Sequence, residues 1–184
     1  MNRCTWATSE NMHRYHDTEW GVPVHDDRLL FELITLEGAQ AGLTWATVLK
    51  KREGYRKTFH NFDVKKVSKM TGKDIEKLMK FNGIIRNRLK IGSTIDNAKN
   101  FLKIQEEFGS FDNYLWMFVN NKHINNRFKT IKDLPAETDL SKKISKDLKK
   151  RSFRFVGSTI VYAFIQAVGI VNDHEVGCFR YRQV

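Results

Sequence analysis

Apolar residues recur every three or four positions through most of this chain, and no segment shows a convincing two-residue alternation, which restricts it to a helical fold. Between Asp26 and Gly42, Leu29, Leu30, Leu33, Ile34 and Ala41 form one stripe of helical period. Thr44 stands where it can cap a second helix carrying Trp45, Val48, Leu49 and Tyr55, and Asp63 precedes Val64 and Val67. Thr71 followed three residues later by Asp74 is a capping-box pattern for a helix ending near Asn82 and Gly83. Ile91, Ile95, Ala98 and Leu102 mark a longer helix, and Ser110 opens an aromatic segment from Phe111 to Val119. Residues 122–138 contain Pro135 and little periodicity, as a loop does. A basic helix, Ser141 to Lys150, and an apolar one, Ser158 to Val168, complete an all-α fold. Its 184 residues suit a single domain over 1–184, or two packed helical lobes with a pocket between them.

Lys and Arg outnumber Asp and Glu by 32 to 21, a formal charge of +11. Clustered cations gain free energy by releasing counterions from phosphates, so the excess points to a polyanionic partner, although a well-solvated surface carries the same sign. The most apolar stretch, Ile160 to Val171, is interrupted by Gln166 and Gly169 and is shorter than the roughly 18 residues that a membrane span needs. Met1 to Thr8 is polar, unlike a secretory leader. The expectation is a monomer that meets no membrane and works in the cytoplasm.

Two cysteines lie near opposite ends, each with a histidine nearby: Cys4 with His16, and His174 with Cys178. The spacing H-x3-C would put the second pair on one side of a helical turn. Two thiolates and two imidazoles suit tetrahedral zinc with no open position, which would join the termini as a structural site. Buried thiols with unrelated histidines fit the spacing equally well.

Glu37 falls at the centre of the apolar stripe of its helix, with Gln40 on the same face. An ionised carboxylate there must be paired with a cation, hydrogen-bonded, or set in a polar cavity. Trp6, Tyr15, Trp20 and Trp45 crowd the same part of the chain, which favours a pocket with aromatic walls.

From Ser141 to Arg154 seven residues are Lys or Arg against one Asp, and the chain then runs through FRFVGST into the apolar helix. A helix, a short hairpin ending at Gly157 and a second helix beginning at Ser158 would aim free backbone amides outward. Such amides bind phosphate, Gly157 lets a strand backbone come close, and Lys149, Lys150 and Arg151 would add charge. A solvated basic helix with an ordinary turn is the alternative.

The segments RCTW, YHDTEWGVP, LFELITLEGAQAGLTWATVLKKREGYR, FNGIIRNRLKI, LKKRSFRFVGSTIVYAFIQAVGIVNDH and the terminal GC resemble the 3-methyladenine DNA glycosylase I family of the helix-hairpin-helix superfamily over nearly the whole chain. The resemblance implies a helix-hairpin-helix glycosylase fold in which Cys4, His16, His174 and Cys178 bind one structural zinc. It implies that Glu37 and Tyr15 hydrogen-bond an excised base while Trp45 and Trp6 stack on it, in a pocket to which Trp20 also belongs. Gly42 and Leu43 match a tight turn and apolar plug that fill the gap left by a flipped nucleotide. Where the family carries an aromatic residue before the tyrosine, this chain has Met12 and His13.

The implied partners are double-stranded DNA containing alkylated bases and free 3-methyladenine as product. Methylation gives such a base a positive charge that already weakens its glycosidic bond. The enzyme must flip the nucleotide, hold it and let water attack, rather than supply a strong acid. Asp173 lies where many superfamily relatives carry an acid after the hairpin, but the resemblance gives it no such role, and the general base is unassigned. A related glycosylase with an iron–sulfur cluster would need four cysteines, and the chain has two. A non-catalytic zinc-held DNA-binding module would leave a carboxylate among tryptophans without a purpose.

Overall fold

A computed structural model describes residues 2–184. At its centre is the helix that carries Glu37, α2 (Asp27–Gln40), capped where the Asp26 side chain accepts from the Leu29 amide at 2.7 Å. Before it lies α1 (Glu10–Thr18), a helix for which sequence periodicity gave no signal. After it come α3 (Trp45–Thr58), α4 (Val64–Val67), α5 (Gly72–Met79), α6 (Arg88–Phe108) and α7 (Phe111–Trp116). The hairpin pair is α8 (Asp139–Lys150) and α9 (Ser158–Ala167). Two two-residue strands, β1 (Ile124–Asn125) and β2 (Val171–Asn172), pair in parallel, Ile124 with Val171 and Asn125 with Asn172.

The expected caps form: the Thr44, Asp63 and Ser110 side chains each accept an amide in the first turn of their helix, and Thr71 with Asp74 makes the capping box. Three expectations need correction. The helix after Thr71 stops at Met79 rather than near Asn82. His174 and Cys178 sit in an irregular turn after β2, not on a helix. And α2 is not a helix with one buried stripe, because every residue from Leu30 to Ala39 is buried. It packs against α3, α6, α7 and α9 at once. Small side chains make that enclosure feasible: a Cβ on Gly38 would lie 3.3 Å from Phe155 of the hairpin.

The C-terminal end of α2 leaves carbonyls without helical partners. The Lys90 ammonium, reaching from α6, donates to the carbonyls of Ala39 at 2.9 Å and Ala41 at 2.6 Å. The chain then turns through Gly42, whose φ of +75° strongly favours glycine. Side chains also anchor the hairpin. The Asn97 side chain donates to the Arg154 carbonyl at 2.9 Å and accepts from its amide at 2.8 Å. Asn100 donates to the Ser152 carbonyl at 3.0 Å, and the Ser145 hydroxyl to Val156 at 2.6 Å. These bonds hold Ser152 and Phe155 at positive φ without glycine and fix where α9 begins.

Candidate active site and metal centre

A cavity of about 210 Å³ opens beside the last turns of α2. This is smaller than the roughly 300–1,000 Å³ of pockets for drug-sized ligands, and suits one flat heterocycle. Its walls bring together all five residues expected there, Trp6, Tyr15, Trp20, Glu37 and Trp45, with Gln40 and Gln166. Ile131 and Leu134 reach in from the 122–138 loop, a contribution that aperiodic sequence could not announce. The aromatic rings meet at steep angles, Trp6 with Trp20 at 5.0 Å and 73°, Tyr15 with Trp45 at 5.2 Å and 53°. The Trp6 and Trp45 indole N–H groups and the Tyr15 hydroxyl are buried without a partner among the described residues. Orphaned buried polar groups are costly, and three around one cavity mark a place for a polar ligand.

Two glutamates of α2 are buried, and they differ in kind. Glu32 is fully buried and accepts from Arg52 Nε at 2.5 Å and Arg56 Nε at 2.9 Å. Arg52 also donates to Glu19 at 2.7 Å, tying α3 to the segment that bears Trp20. Glu37, only 4% exposed, forms no hydrogen bond or ion pair with any described residue. Burial alone pushes its carboxyl up to about 8 from an ordinary 4.5. Burial, and then the neighbouring Glu37, also raise the Tyr15 hydroxyl. The structural ion pair that α2 required of a buried acid belongs to Glu32, and Glu37 is free for the cavity.

A second hollow of about 220 Å³ adjoins the first and shares Glu37, Gln40 and Ala163 with it, and Ala41, Gly42, Leu43, Thr159 and Ile160 complete its walls. Leu43 is 41% exposed at its edge. On the hairpin, Lys149 and Lys150 are exposed and form no ion pair with described residues. Arg151 is engaged instead: it pairs with Glu107 at 2.6 Å and Asp147 at 2.8 Å and lies over the Phe108 ring. At Gly157 an added Cβ would meet nothing within 4 Å, so the face before α9 is open. The Ser158 hydroxyl donates to Glu137, which also pairs with Lys142, so a carboxylate already stands beside the α9 N-terminus.

Cys4, His16, His174 and Cys178 are all buried, and their four donor atoms lie within 4.8 Å of one another. The Cys4 sulfur is 3.6 Å from His174 Nδ1, and the Cys178 sulfur 3.4 Å from His16 Nε2. In a tetrahedron with the usual zinc–sulfur and zinc–nitrogen bond lengths, that edge measures about 3.6 Å. His16 Nδ1 donates to Asp17 at 2.8 Å, which turns the Nε2 lone pair to the cluster, where the Cys4 amide also points at it at 3.3 Å, and Asp17 is itself fixed by Arg3 at 2.8 Å. Burial lowers both imidazoles, His174 to about 3, so both are neutral donors. Backbone amides of Glu175 and Arg180 each point at a cysteine sulfur at 3.4 Å. The donor set and its spacing fit a metal ion.

Sequence reasoning left Gln166 and Asp173 without a use. Gln166 lines the cavity, and its amide nitrogen donates to Asp173 at 2.8 Å. Its signal was present: it is the polar interruption of the most apolar stretch of the chain.

The model of the methyladenine glycosylase family matches residues 6–181. The DNA-3-methyladenine glycosylase 1 of Escherichia coli (strain K12) is 49% identical over 182 residues, covering 98% of this chain and 97% of the relative. The DNA-3-methyladenine glycosylase of Haemophilus influenzae is 48% identical over 96% of each chain. The crystal structure of a tyrosine-to-phenylalanine variant of 3-methyladenine DNA glycosylase I, in complex with 3-methyladenine, superposes with a TM-score of 0.94 at 37% identity over 97% of each chain.

Proposed function

This chain belongs to the methyladenine glycosylase family, and from that premise we propose that it hydrolyses the N-glycosidic bond of 3-methyladenine in alkylated DNA, releasing the base and leaving an abasic site. The observation that carries this reading is a buried, unpaired carboxylate, Glu37, facing a cavity with the orphaned Tyr15 hydroxyl and two indole N–H groups.

In this reading Glu37 and Tyr15 hydrogen-bond the extruded base, Trp6 and Trp45 stack on it, and Trp20 closes the wall. A methylated adenine in DNA is cationic. A carboxyl poised near 8 surrenders its proton when such a cation arrives, because the paired charges offset the burial that raised it. Neutral adenine offers no such compensation, which is how the pocket distinguishes damage from the normal base. The sugar cation left by the departing base is taken by water, and no residue is assigned as general base. Leu43, on its exposed turn at Gly42, fills the space vacated in the duplex. Lys149, Lys150 and the amides at Gly157 and Ser158 meet phosphates, while Arg151 holds the hairpin rather than the DNA. Cys4, His16, His174 and Cys178 hold one zinc that ties the two ends of the chain together and takes no part in the chemistry. The enzyme acts as a monomer, a single glycosylase domain, in the cytoplasm. None of its described helices is long and apolar enough to cross a membrane.

The test is release of free 3-methyladenine from methylated duplex DNA by the purified protein. Absence of release from a folded, metal-loaded sample would refute the activity.

A further inference from the structure

Asp173 is 2% exposed and pairs with no cation among the described residues. It is satisfied instead by three neutral donors: Tyr162 Oη at 2.5 Å, Asn126 Nδ2 at 2.6 Å and Gln166 Nε2 at 2.8 Å. The Asp173 carboxyl oxygens accept all three bonds, so Gln166 turns its amide nitrogen towards Asp173. A flipped amide would set its carbonyl oxygen against the carboxylate at the same distance. Gln166 lines the cavity and its carbonyl oxygen Oε1 bonds no described residue, so Oε1 is free to accept from a ligand there. The cavity wall thus carries an oriented acceptor as well as a set of orphaned donors.

The two methylated purines differ where such an acceptor acts. Adenine carries an exocyclic amine, a donor, where guanine carries a carbonyl oxygen, an acceptor. We propose that Gln166 is a specificity-determining residue, with Asp173 its positioning residue, so that Oε1 accepts from the amine of 3-methyladenine and repels the carbonyl of 3-methylguanine. The inference rests on the reading that this cavity receives 3-methyladenine. It gives Asp173 a task that needs neither contact with substrate nor a proton transfer.

The experiment measures initial rates of release of 3-methyladenine and 3-methylguanine from the same methylated duplex DNA, for the metal-loaded wild type, Gln166→Met and Asp173→Asn. Methionine keeps the length of glutamine and presents no amide acceptor. Wild type should prefer 3-methyladenine, and Gln166→Met should lower the ratio of the two rates by about tenfold, the effect of one directional hydrogen bond. Asp173→Asn, where it folds, should move the ratio the same way, because an asparagine tolerates either orientation of the Gln166 amide. A folded Gln166→Met with the wild-type ratio overturns the proposal, even if both rates fall together, since an equal fall marks a structural or water-holding role. A wild type that releases both bases equally also overturns it. A wild type that releases neither refutes the glycosylase reading itself.

Discussion

Replacing Glu37 with glutamine should make the protein more stable and the enzyme slower. The carboxyl is raised from 4.5 to about 8 by burial alone, so the folded chain holds a proton there that the unfolded chain has already lost. For such a group stability is highest below pH 4.5, falls as pH rises towards about 8, and is flat beyond. At about 1.4 kcal/mol per pH unit the cumulative loss is about 5 kcal/mol, an upper bound because water in the open cavity relieves part of it. An amide has no proton to lose. The Glu37→Gln variant should therefore match wild type near pH 5 and exceed it by about 2–4 kcal/mol at pH 8.5, a rise in melting temperature of about 5–15 °C for a chain of this length. Base release, where the base is cationic, should fall about 10- to 150-fold, the worth of one hydrogen bond to a charged group, and binding of the neutral free 3-methyladenine should fall less. Tyr15→Phe, which removes a neutral hydroxyl, should show a smaller defect. Paired melts at pH 5, 7 and 8.5, with titrations of free base, test both halves. A variant that melts no higher than wild type at pH 8.5 would show that the carboxylate is compensated within the protein. One that binds and excises normally would place the base pocket elsewhere.

Glu32→Gln should do the opposite, lowering stability by about 3–5 kcal/mol because Arg52 is left buried beside a neutral partner, while excision per folded molecule stays near wild type; thermal melts with active-site-normalised rates check it. Metal analysis should find about one zinc per chain, and Cys178→Ala should lower both metal content and melting temperature; a Cys4→Ala, Cys178→Ala double variant that kept full occupancy would remove these ligands from the assignment. Lys149→Ala and Lys150→Ala should each flatten the salt dependence of DNA binding by about one unit, whereas Arg151→Ala, losing two carboxylate partners, should depress the melting temperature with little change in slope. An equal change of slope for all three would assign Arg151 to the DNA.

The sequence disclosed most where one residue acts on its near neighbours. Caps at Thr44, Asp63, Thr71 and Ser110 depend on amides two or three positions away, and all four were legible. The period of α2 was legible too, but not its burial on every side, because a period names the preferred face and says nothing about how many helices will surround it. The same limit applies to the site. Glu37 stood out because it lay in the stripe, while the period gave no signal at Glu32, whose partners Arg52 and Arg56 belong to α3. The His174–Cys178 turn misled in the other direction: the spacing suited a helix, yet β2 pairs with β1 and ends the regular chain before it.

These long-range partners also explain how the fold carries an uncompensated carboxyl in its core. Glu37 works against folding at neutral pH, and its neighbourhood is reinforced on two sides. The Glu32–Arg52–Glu19 chain of ion pairs binds α2 and α3 to the segment just before Trp20. The Cys–His cluster, which could hold a metal ion, sets α1, which carries Tyr15, beside the turn after Asp173, which orients Gln166. Both devices fix residues of the cavity wall without contributing a group to it. The cavity can then keep its acceptors and indole donors unpaired in the free protein, because the walls cannot collapse to satisfy them. In the proposed function, a ligand that brings a positive charge and a matching amine recovers both costs when it enters, and the selectivity for an alkylated adenine follows from that recovery.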